Sequence, residues 1–273
     1  MVRWPSIWNR YAAAVVTGGS SGIGNSFINL LNSLGKDQMI CNLSRREPDG
    51  FAGSPLRVHV SVDFAARGAV APAARAVVEA LEPVRPGPVL IIHNAGFGDY
   101  GAFPASGWET QRRLLDVNVV SVLELTAHWK PLLEKRGGAV ILVASTAAWQ
   151  PTPWLATYGA SKTFLLNWGL ALREEWREAG LGVTVLCPGP TETAFFTVAG
   201  MDQKPSGVGM HSADLVAQRG LEGWARGRAV VVPGALNQVM AAISCRLPRS
   251  CQGRIAGIIL KRFRKPPSNR KSS

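Results

Sequence analysis

Tyr158 and Lys162, four residues apart in Tyr158-Gly159-Ala160-Ser161-Lys162, have the types and spacing to do chemistry. On a helix that spacing puts both side chains on one face. A free phenol, with a pKa of ~10, is a poor base at neutral pH. A neighbouring ammonium favours the phenolate and moves that pKa toward the range where acid/base catalysis is efficient. A solvated helix face can carry the same pair, so the reading depends on what accompanies it. Ser145 lies just past the apolar run AVILVA, where side chains at the carboxyl edge of a parallel sheet meet ligands. Asn118 is a polar amide among Leu115, Val117, Val119 and Val120 and needs a partner there. Asn94-Ala95-Gly96 ends the run VLIIHN, which suits a loop passing close to a bound molecule.

A second constellation reads as a phosphate-binding turn. Thr17-Gly18-Gly19-Ser20-Ser21-Gly22-Ile23-Gly24 follows an apolar run at residues 12–17 and opens a helical pattern. Glycine permits positive φ and close backbone approach, and the helix start offers free N–H groups and a positive dipole end to a pyrophosphate. The spacing departs from G-x-G-x-x-G, and an ordinary tight turn can also be glycine-rich; the position after a first strand favours a dinucleotide. About twenty residues on, where an acid would accept from the ribose 2′-OH, stand Ser44-Arg45-Arg46. Ser44 is a short donor and Arg45 a planar fork suited to a 2′-phosphate, which favours NADP(H) over NAD(H). The alternative for the arginines is a solvated surface pair. Asp63 could accept from the adenine amino group or simply form a turn.

The elements that must position these groups alternate along the chain. Apolar runs at 12–17, 39–43, 56–62, 89–92, 139–143, 183–186 and 230–232 read as strands. Helical patterns occupy 23–34, closed by Gly35, then 69–81, 114–133 and 157–179. Strands alternating with helices predict an α/β fold with one parallel sheet covered on both faces. No repeat and no linker divides it.

Together these residues resemble the short-chain dehydrogenase/reductase family, in its single-domain branch. The resemblance covers residues 10–235: the T-G-x-x-x-G-x-G turn, N-A-G at 94–96, Asn118, Ser145, Y-x-x-x-K at 158–162, and Pro188-Gly189-Pro190-Thr191. It implies a Rossmann-like doubly wound sheet and an NADP(H)-dependent oxidoreductase moving a hydride between the nicotinamide and a carbonyl or alcohol carbon. Tyr158 would be the general acid/base, and Ser145 would hold and polarise the reacting oxygen. Lys162 would bond the nicotinamide ribose and lower the Tyr158 pKa. Asn118 would hold a water linking Lys162 to solvent. Pro188, Gly189 and Thr191 would lie along the nicotinamide, with Thr191 near its carboxamide or the phosphates. Extended relatives acting on nucleotide sugars usually carry glycine where this chain has Ser21. The family's pocket walls map onto Phe97 and Tyr100, Trp149 and Trp154, and Phe195 and Phe196: an apolar or aromatic substrate site, or else core and lid packing. Residues 197–212, rich in Gly and Ser, read as a flap over the site. The family often forms homodimers or homotetramers, and helices 114–133 and 157–179 could pair between subunits. The rival reading is a non-catalytic NADP(H)-binding sensor or scaffold of the same fold, which would not need the intact Ser145, Tyr158, Lys162 and Asn118 set.

The composition bounds the rest. At 273 residues with 47% hydrophobic and 18% charged residues, the chain fits a globular protein. No apolar run approaches a membrane span, the N-terminus has no apolar signal core, and Cys41, Cys187, Cys245 and Cys251 have no ligand or disulfide spacing. These features point to a cytoplasmic protein with reduced thiols and no metal. The net charge of +12 is local: eleven of the thirty basic residues and none of the eighteen acidic ones lie beyond Glu222. The expected division is therefore a catalytic domain at 1–235 and a basic amphipathic extension at 236–273, disordered over 264–273. Leu236, Val239, Met240, Ile243 and Leu247, then Ile255, Ile258 and Ile259, recur at helical spacing there, with Pro248 limiting a continuous helix. A peripheral membrane contact and a cover on the body or on a neighbouring subunit are both open. Without a recognition module, the charge does not argue for nucleic acid.

Overall fold

Strand β1 (Ala13–Thr17) alternates its side chains between two buried faces: Ala13 and Val15 join one apolar cluster, Ala14 and Val16 the other. This period of two, buried on both sides, is the signature of a parallel sheet covered by helices. In the computed structural model, which describes residues 4–34, 37–51, 53–104, 106–201 and 209–261, the pattern repeats across the sheet. Its other strands are β2 (Met39–Ser44), β3 (Arg57–Ser61), β4 (Val89–His93), β5 (Gly138–Val143), β6 (Gly182–Leu186) and, past the two short strands β7 (Thr191–Glu192) and β8 (His211–Ser212), β9 (Val230–Val231). All seven run parallel in the order β3-β2-β1-β4-β5-β6-β9, while β7 and β8 form a separate two-stranded ribbon. The doubly wound arrangement expected from the sequence is the one observed.

One face is covered by α1 (Trp4–Trp8), α2 (Gly22–Leu34) and, later in the chain, α8 (Ala213–Ala225); Phe27, Leu31, Val216, Leu221 and Trp224 fill that layer. The Trp8 indole N–H donates to the Leu31 carbonyl at 3.2 Å, so this buried ring is also satisfied. The short helix α1 has no counterpart among the expected elements. The other face is covered by α3 (Val70–Leu81), α5 (Ser121–Arg136) and α6 (Ala156–Glu175), which bring Val77, Trp129, Leu165 and Leu172 onto the sheet. Each fully buried side chain of this size contributes about 1.5–3 kcal/mol.

The helix expected at 114–133 runs without a break over residues 107–136, as α4 (Gly107–Leu115), a π-helical turn at Asp116–Val120, and α5. Apolar spacing cannot reveal a wide turn. Its reason is tertiary, since it carries Asn118 to partners on other elements, and single π turns recur at functional sites. At the chain's end, α9 (Ala235–Ser244) and α10 (Arg249–Lys261) are separated at Pro248, as that residue's missing N–H requires. Gly35, residues 202–208 of the expected flap, and the expected disordered segment at 264–273 lie outside the described residues.

Strand order turns around between β1 and β4, so the chain leaves their carboxyl ends in opposite directions and opens a crevice there. His93, the last residue of β4, is fully enclosed; its Nε2 lies 3.0 Å from the Thr126 hydroxyl and burial pushes its pKa down to about 3. The unfolded chain protonates its histidine near pH 6.5 and the folded chain does not, so stability is lost as pH falls from about 6.5 toward 3. We expect a loss of about 2 kcal/mol between pH 7 and 5 from this residue, read as a falling denaturation midpoint. His93→Gln should flatten that slope; an unchanged slope would reject the assignment.

Candidate active site

The carboxyl end of β1 is joined to that of β4 by side-chain bonds. Thr17 Oγ1 accepts from the N–H groups of Asn94 and Ala95, both at 3.0 Å. Asn94 Nδ2 donates to the Thr17 and Gly18 carbonyls, both at 3.1 Å. Gly18 and Gly22 have φ of 69° and 56°, the left-handed region that favours glycine. The absent side chain at Gly24 matters as much: a Cβ there would lie 2.3 Å from the Gly18 carbonyl oxygen. Beneath the turn, buried Asn42 accepts from Gly19 N–H at 3.0 Å and donates toward Ser44 Oγ and His59 Nδ1 at 2.9 Å each. The N–H groups opening α2, including that of Ile23, follow the half-buried Ser20 and exposed Ser21, where a helix start leaves donors unsatisfied.

Ser44 and Asp63 both find partners within the protein. Ser44 is buried and donates its proton to the Arg46 carbonyl at 2.6 Å. Its donor is thus used internally, and the exposed Arg45 and Arg46 are left as the cationic groups at the end of β2. Asp63 is a turn former: Oδ1 accepts from Ala65 N–H at 3.0 Å and Oδ2 pairs with Arg113 at 3.1 Å. Partial burial raises its carboxyl pKa, but the Ala65 N–H and Arg113 outweigh that and hold it below the usual range.

Tyr158 and Lys162 share a face of α6, as their spacing requires, and both are buried. Lys162 Nζ stands 5.8 Å from the centre of the Tyr158 ring and donates to the Val143 carbonyl at 2.9 Å. Ser145 follows β5 and caps the 3₁₀ turn Thr146–Trp149, its Oγ accepting from Ala147 N–H at 3.1 Å. Burial pushes the Tyr158 hydroxyl up to about 12; a hydrogen bond with Ser145 acts in the opposite direction but loses. Burial also brings Lys162 down to about 8. The expectation that the ammonium would bring the phenol toward neutrality is therefore not met by this arrangement: desolvation dominates, and Tyr158 is a protonated acid throughout the neutral range.

Asn118 has the partners that its buried amide needs. Its Oδ1 accepts from Phe97 N–H at 3.0 Å, and its Nδ2 donates to the Phe97 carbonyl at 3.0 Å and to Ser161 Oγ at 3.1 Å. Both amide protons are thus committed to protein, and the side chain pins the loop after Gly96 to α6. Only a remaining Oδ1 lone pair could hold a water. A Cβ on Gly96 would lie 3.1 Å from Asn118 Oδ1 and 3.3 Å from Lys162 Nζ, so this glycine keeps both polar groups approachable.

The loop after β6 closes the site. The Pro188 carbonyl accepts from Thr146 N–H at 2.8 Å, tying this loop to the Ser145 turn. The buried Thr191 donates to the Gly189 carbonyl at 3.0 Å. Gly189 itself abuts Asn237, whose amide nitrogen a Cβ would approach to 2.4 Å. Phe195 tilts over Tyr158 with ring centres 5.0 Å apart, and Phe97 and Tyr100 join the same apolar group. Phe196 stacks edge-on to Phe195 in a neighbouring cluster. Trp149 is partly buried and packs against the main core, the second of the two readings open to it from the sequence. Trp154 has φ of 70°, and its carbonyl accepts from Gly101 N–H at 2.8 Å, fixing the loop opposite Phe97. Cys187 is buried among Ser145, Trp149 and Lys162, and burial pushes its thiol up to about 12, which makes it inert. Among the described residues no group of His, Cys, Asp and Glu could hold a metal ion.

A family profile described as short chain dehydrogenase matches residues 12–204, which hold the glycine turn, Ser145, Tyr158 and Lys162. The chain belongs to this family. Over 196 residues it is 26% identical to dehydrogenase/reductase SDR family member 7B of Rattus norvegicus, covering 67% of this chain and 59% of that protein. It is 34% identical over 139 residues to serine 3-dehydrogenase of Agrobacterium fabrum, covering 47% of this chain and 54% of that one. The aligned region spans well under two thirds of these relatives' own length. The fold is similar to that of a short chain dehydrogenase from Burkholderia cenocepacia solved with NADP, with a TM-score of 0.76, 24% identity, and 90% and 98% of the two chains covered. It is also similar to an NADPH-bound carbonyl reductase from chicken fatty liver, with a TM-score of 0.66, 20% identity, and 81% and 98% covered.

Within this short-chain dehydrogenase fold, three site residues lie outside the motifs. Asn42 carried a signal, a lone amide in the apolar strand MICNLS. Asn237 and Leu260 carried none, because only folding brings the last helices to the site: Leu260 packs against the Leu114, Leu155 and Tyr158 cluster, and its carbonyl accepts the Tyr100 hydroxyl at 2.5 Å.

Proposed function

We propose that this chain is an NADP(H)-dependent oxidoreductase acting at a carbonyl or alcohol carbon of an apolar or aromatic substrate. The observation that carries the reading is the Tyr158 hydroxyl, hydrogen-bonded to Ser145 at the carboxyl edge of the sheet beneath Phe195. Ser145 and Tyr158 would hold the reacting oxygen together. Tyr158, protonated at neutral pH, suits the reductive direction, in which it gives its proton to that oxygen as negative charge develops. Ser145 orients the oxygen, and Lys162 places a positive charge beside the developing phenolate.

The residues fit a dinucleotide. The bare backbone at Gly18 and Gly24 lets the turn pack closely against Asn94 and Ala95, which would set the N–H groups opening α2 toward a phosphate, and Gly96 leaves Lys162 and Asn118 approachable by a ribose. Gly18, Ser20, Ser21, Gly22, Ile23 and Gly24 would hold the pyrophosphate, with Arg45 and Arg46 on a 2′-phosphate. Asn94, Ala95 and Gly96, then Pro188, Gly189 and Thr191, would flank the nicotinamide end. The bound nicotinamide supplies or accepts the hydride. Phe97, Tyr100 and Phe195 exclude water from the reacting oxygen. Assembly through α5 and α6 into a homodimer or homotetramer fits the exposed Phe164 on α6 and Val120 in the π turn just before α5.

NADPH oxidation over a panel of apolar and aromatic ketones and aldehydes tests this reading. Turnover is expected, and NADPH binding without turnover across the panel would favour the sensor reading. Direct titration tests the cofactor. A lost charge-assisted contact of about 1.5–3 kcal/mol means that Arg45→Ala should weaken NADPH binding roughly tenfold to a hundredfold and leave NADH unchanged. Equal affinity of the native chain for the two cofactors would reject the NADP(H) preference.

A further inference from the structure

Of the fourteen large hydrophobic side chains exposed among the described residues, eight lie on or just after α9 and α10: Leu236, Val239, Met240, Ile243, Leu247, Ile255, Ile258 and Ile259. Both helices are turned the reverse of an ordinary surface helix. Those facing the body bury Asn237, Ala241 and Ser244 on α9, and Gln252 and Ala256 on α10. Aliphatic side chains at i, i+3 and i+4 point outward instead. The two helices share one support. Ser244 donates to Gln150 Oε1 at 2.8 Å, Gly253 and Gly257 lie against Pro151 and Pro153, and Gln252 bonds the Ser244 carbonyl at 2.6 Å. Both apolar stripes therefore face away from the same segment, 150–153.

We propose that this outer face of α9 and α10 docks on an anionic lipid surface. Charge selects that occupant. Arg246, Arg249, Arg254 and Lys261 flank the stripes, and no acidic residue follows Glu222 in the sequence. A second copy meeting this face about a two-fold axis would bring like charges together without a single carboxylate from the same segment. An apolar stripe edged with cations matches a headgroup layer over acyl chains. Among the described residues no helix is long and apolar enough to cross a membrane, so the contact is peripheral. The inner side of α10 reaches the candidate site through Leu260, which packs against the Leu114, Leu155 and Tyr158 cluster as Phe97 and Phe195 do, and whose carbonyl accepts from Tyr100. The same helix thus faces lipid on one side and the proposed apolar pocket on the other. That link rests on the proposed function; the docking does not.

Sedimentation of the full chain with vesicles tests the docking without reference to activity. Binding is expected to phosphatidylcholine vesicles containing phosphatidylserine, to be weaker to phosphatidylcholine alone, and to fall as salt approaches ~1 M, where screening is nearly complete. Arg249→Gln with Arg254→Gln should lower binding by roughly fivefold per charge. Ile258→Glu, at a side chain 65% exposed and therefore tolerable to the fold, should lower it at least tenfold. Absence of binding at low salt would overturn the proposal. So would binding that survives Ile258→Glu but disappears when residues 262–273 are deleted. An oligomer that Ile258→Glu dissociates, with no vesicle binding, would make this face a subunit contact instead.

Discussion

Tyr158→Phe should lower kcat for carbonyl reduction by about 10²–10⁴-fold while leaving NADPH affinity within a factor of two or so. The substitution removes one hydroxyl and keeps the ring that packs under Phe195 and beside Lys162. The fold should be unaffected, because the lost bond to Ser145 is offset by relieving a buried polar group. With its hydroxyl pushed up to about 12, Tyr158 remains protonated from acid to mildly alkaline pH. The reductive rate should therefore show no ionisation of this residue below pH 8. Lys162, brought down to about 8, loses its charge above that pH, and the rate should decline there. Steady-state kinetics on the native chain and the variant, with NADPH titration in parallel, would separate the proton transfer from binding. Equal turnover by the two proteins would remove Tyr158 from the chemistry.

Gly24→Ala should be the most damaging single-methyl change at the glycine turn. The new Cβ would stand 2.3 Å from the Gly18 carbonyl oxygen and 2.4 Å from Asn94 Nδ2. The oxygen is backbone, and the Asn94 amide is held by two carbonyls, so neither is a free end that can swing aside. Overpacking of this kind costs about 1–3 kcal/mol. Relief requires widening the turn, which would break the Asn94 bonds and misdirect the N–H groups opening α2. The denaturation midpoint should fall, and NADPH affinity should fall at least tenfold even where the variant remains folded. Gly50→Ala is a control for added volume, since a Cβ there meets nothing within 4 Å; its φ of 66° makes any effect on stability purely a backbone one. If Gly24→Ala bound NADPH as tightly as the native chain, the turn would not be the phosphate site.

Much of the site was legible because its signals are local. Tyr158 and Lys162 share a helix face by spacing alone, and the glycines of the first turn mark where backbone must approach backbone. The unbroken apolar run Ala13, Ala14, Val15 and Val16, ending in the glycine cluster, announces a buried strand before any partner strand is known. The division of the 114–133 segment was not legible, since Asn118 widens its turn to meet Phe97 and Ser161, contacts that no periodicity encodes. The same limit left open where Trp149 packs and gave no sign of the bond from Ser44 to the Arg46 carbonyl.

By itself, the order of residues determined the alternating α/β architecture, the glycine turn and which side chains are candidates for the chemistry, because periodicity and residue type act over a few positions. The tertiary structure decided what those side chains do. Lys162 meets Val143 nineteen residues away, and Tyr100 meets Leu260 across 160. Desolvation, which raises Tyr158 and lowers Lys162, is the sum of all that surrounds them. Burial is a property of three-dimensional neighbours, and so are the protonation states and hydrogen bonds that follow from it.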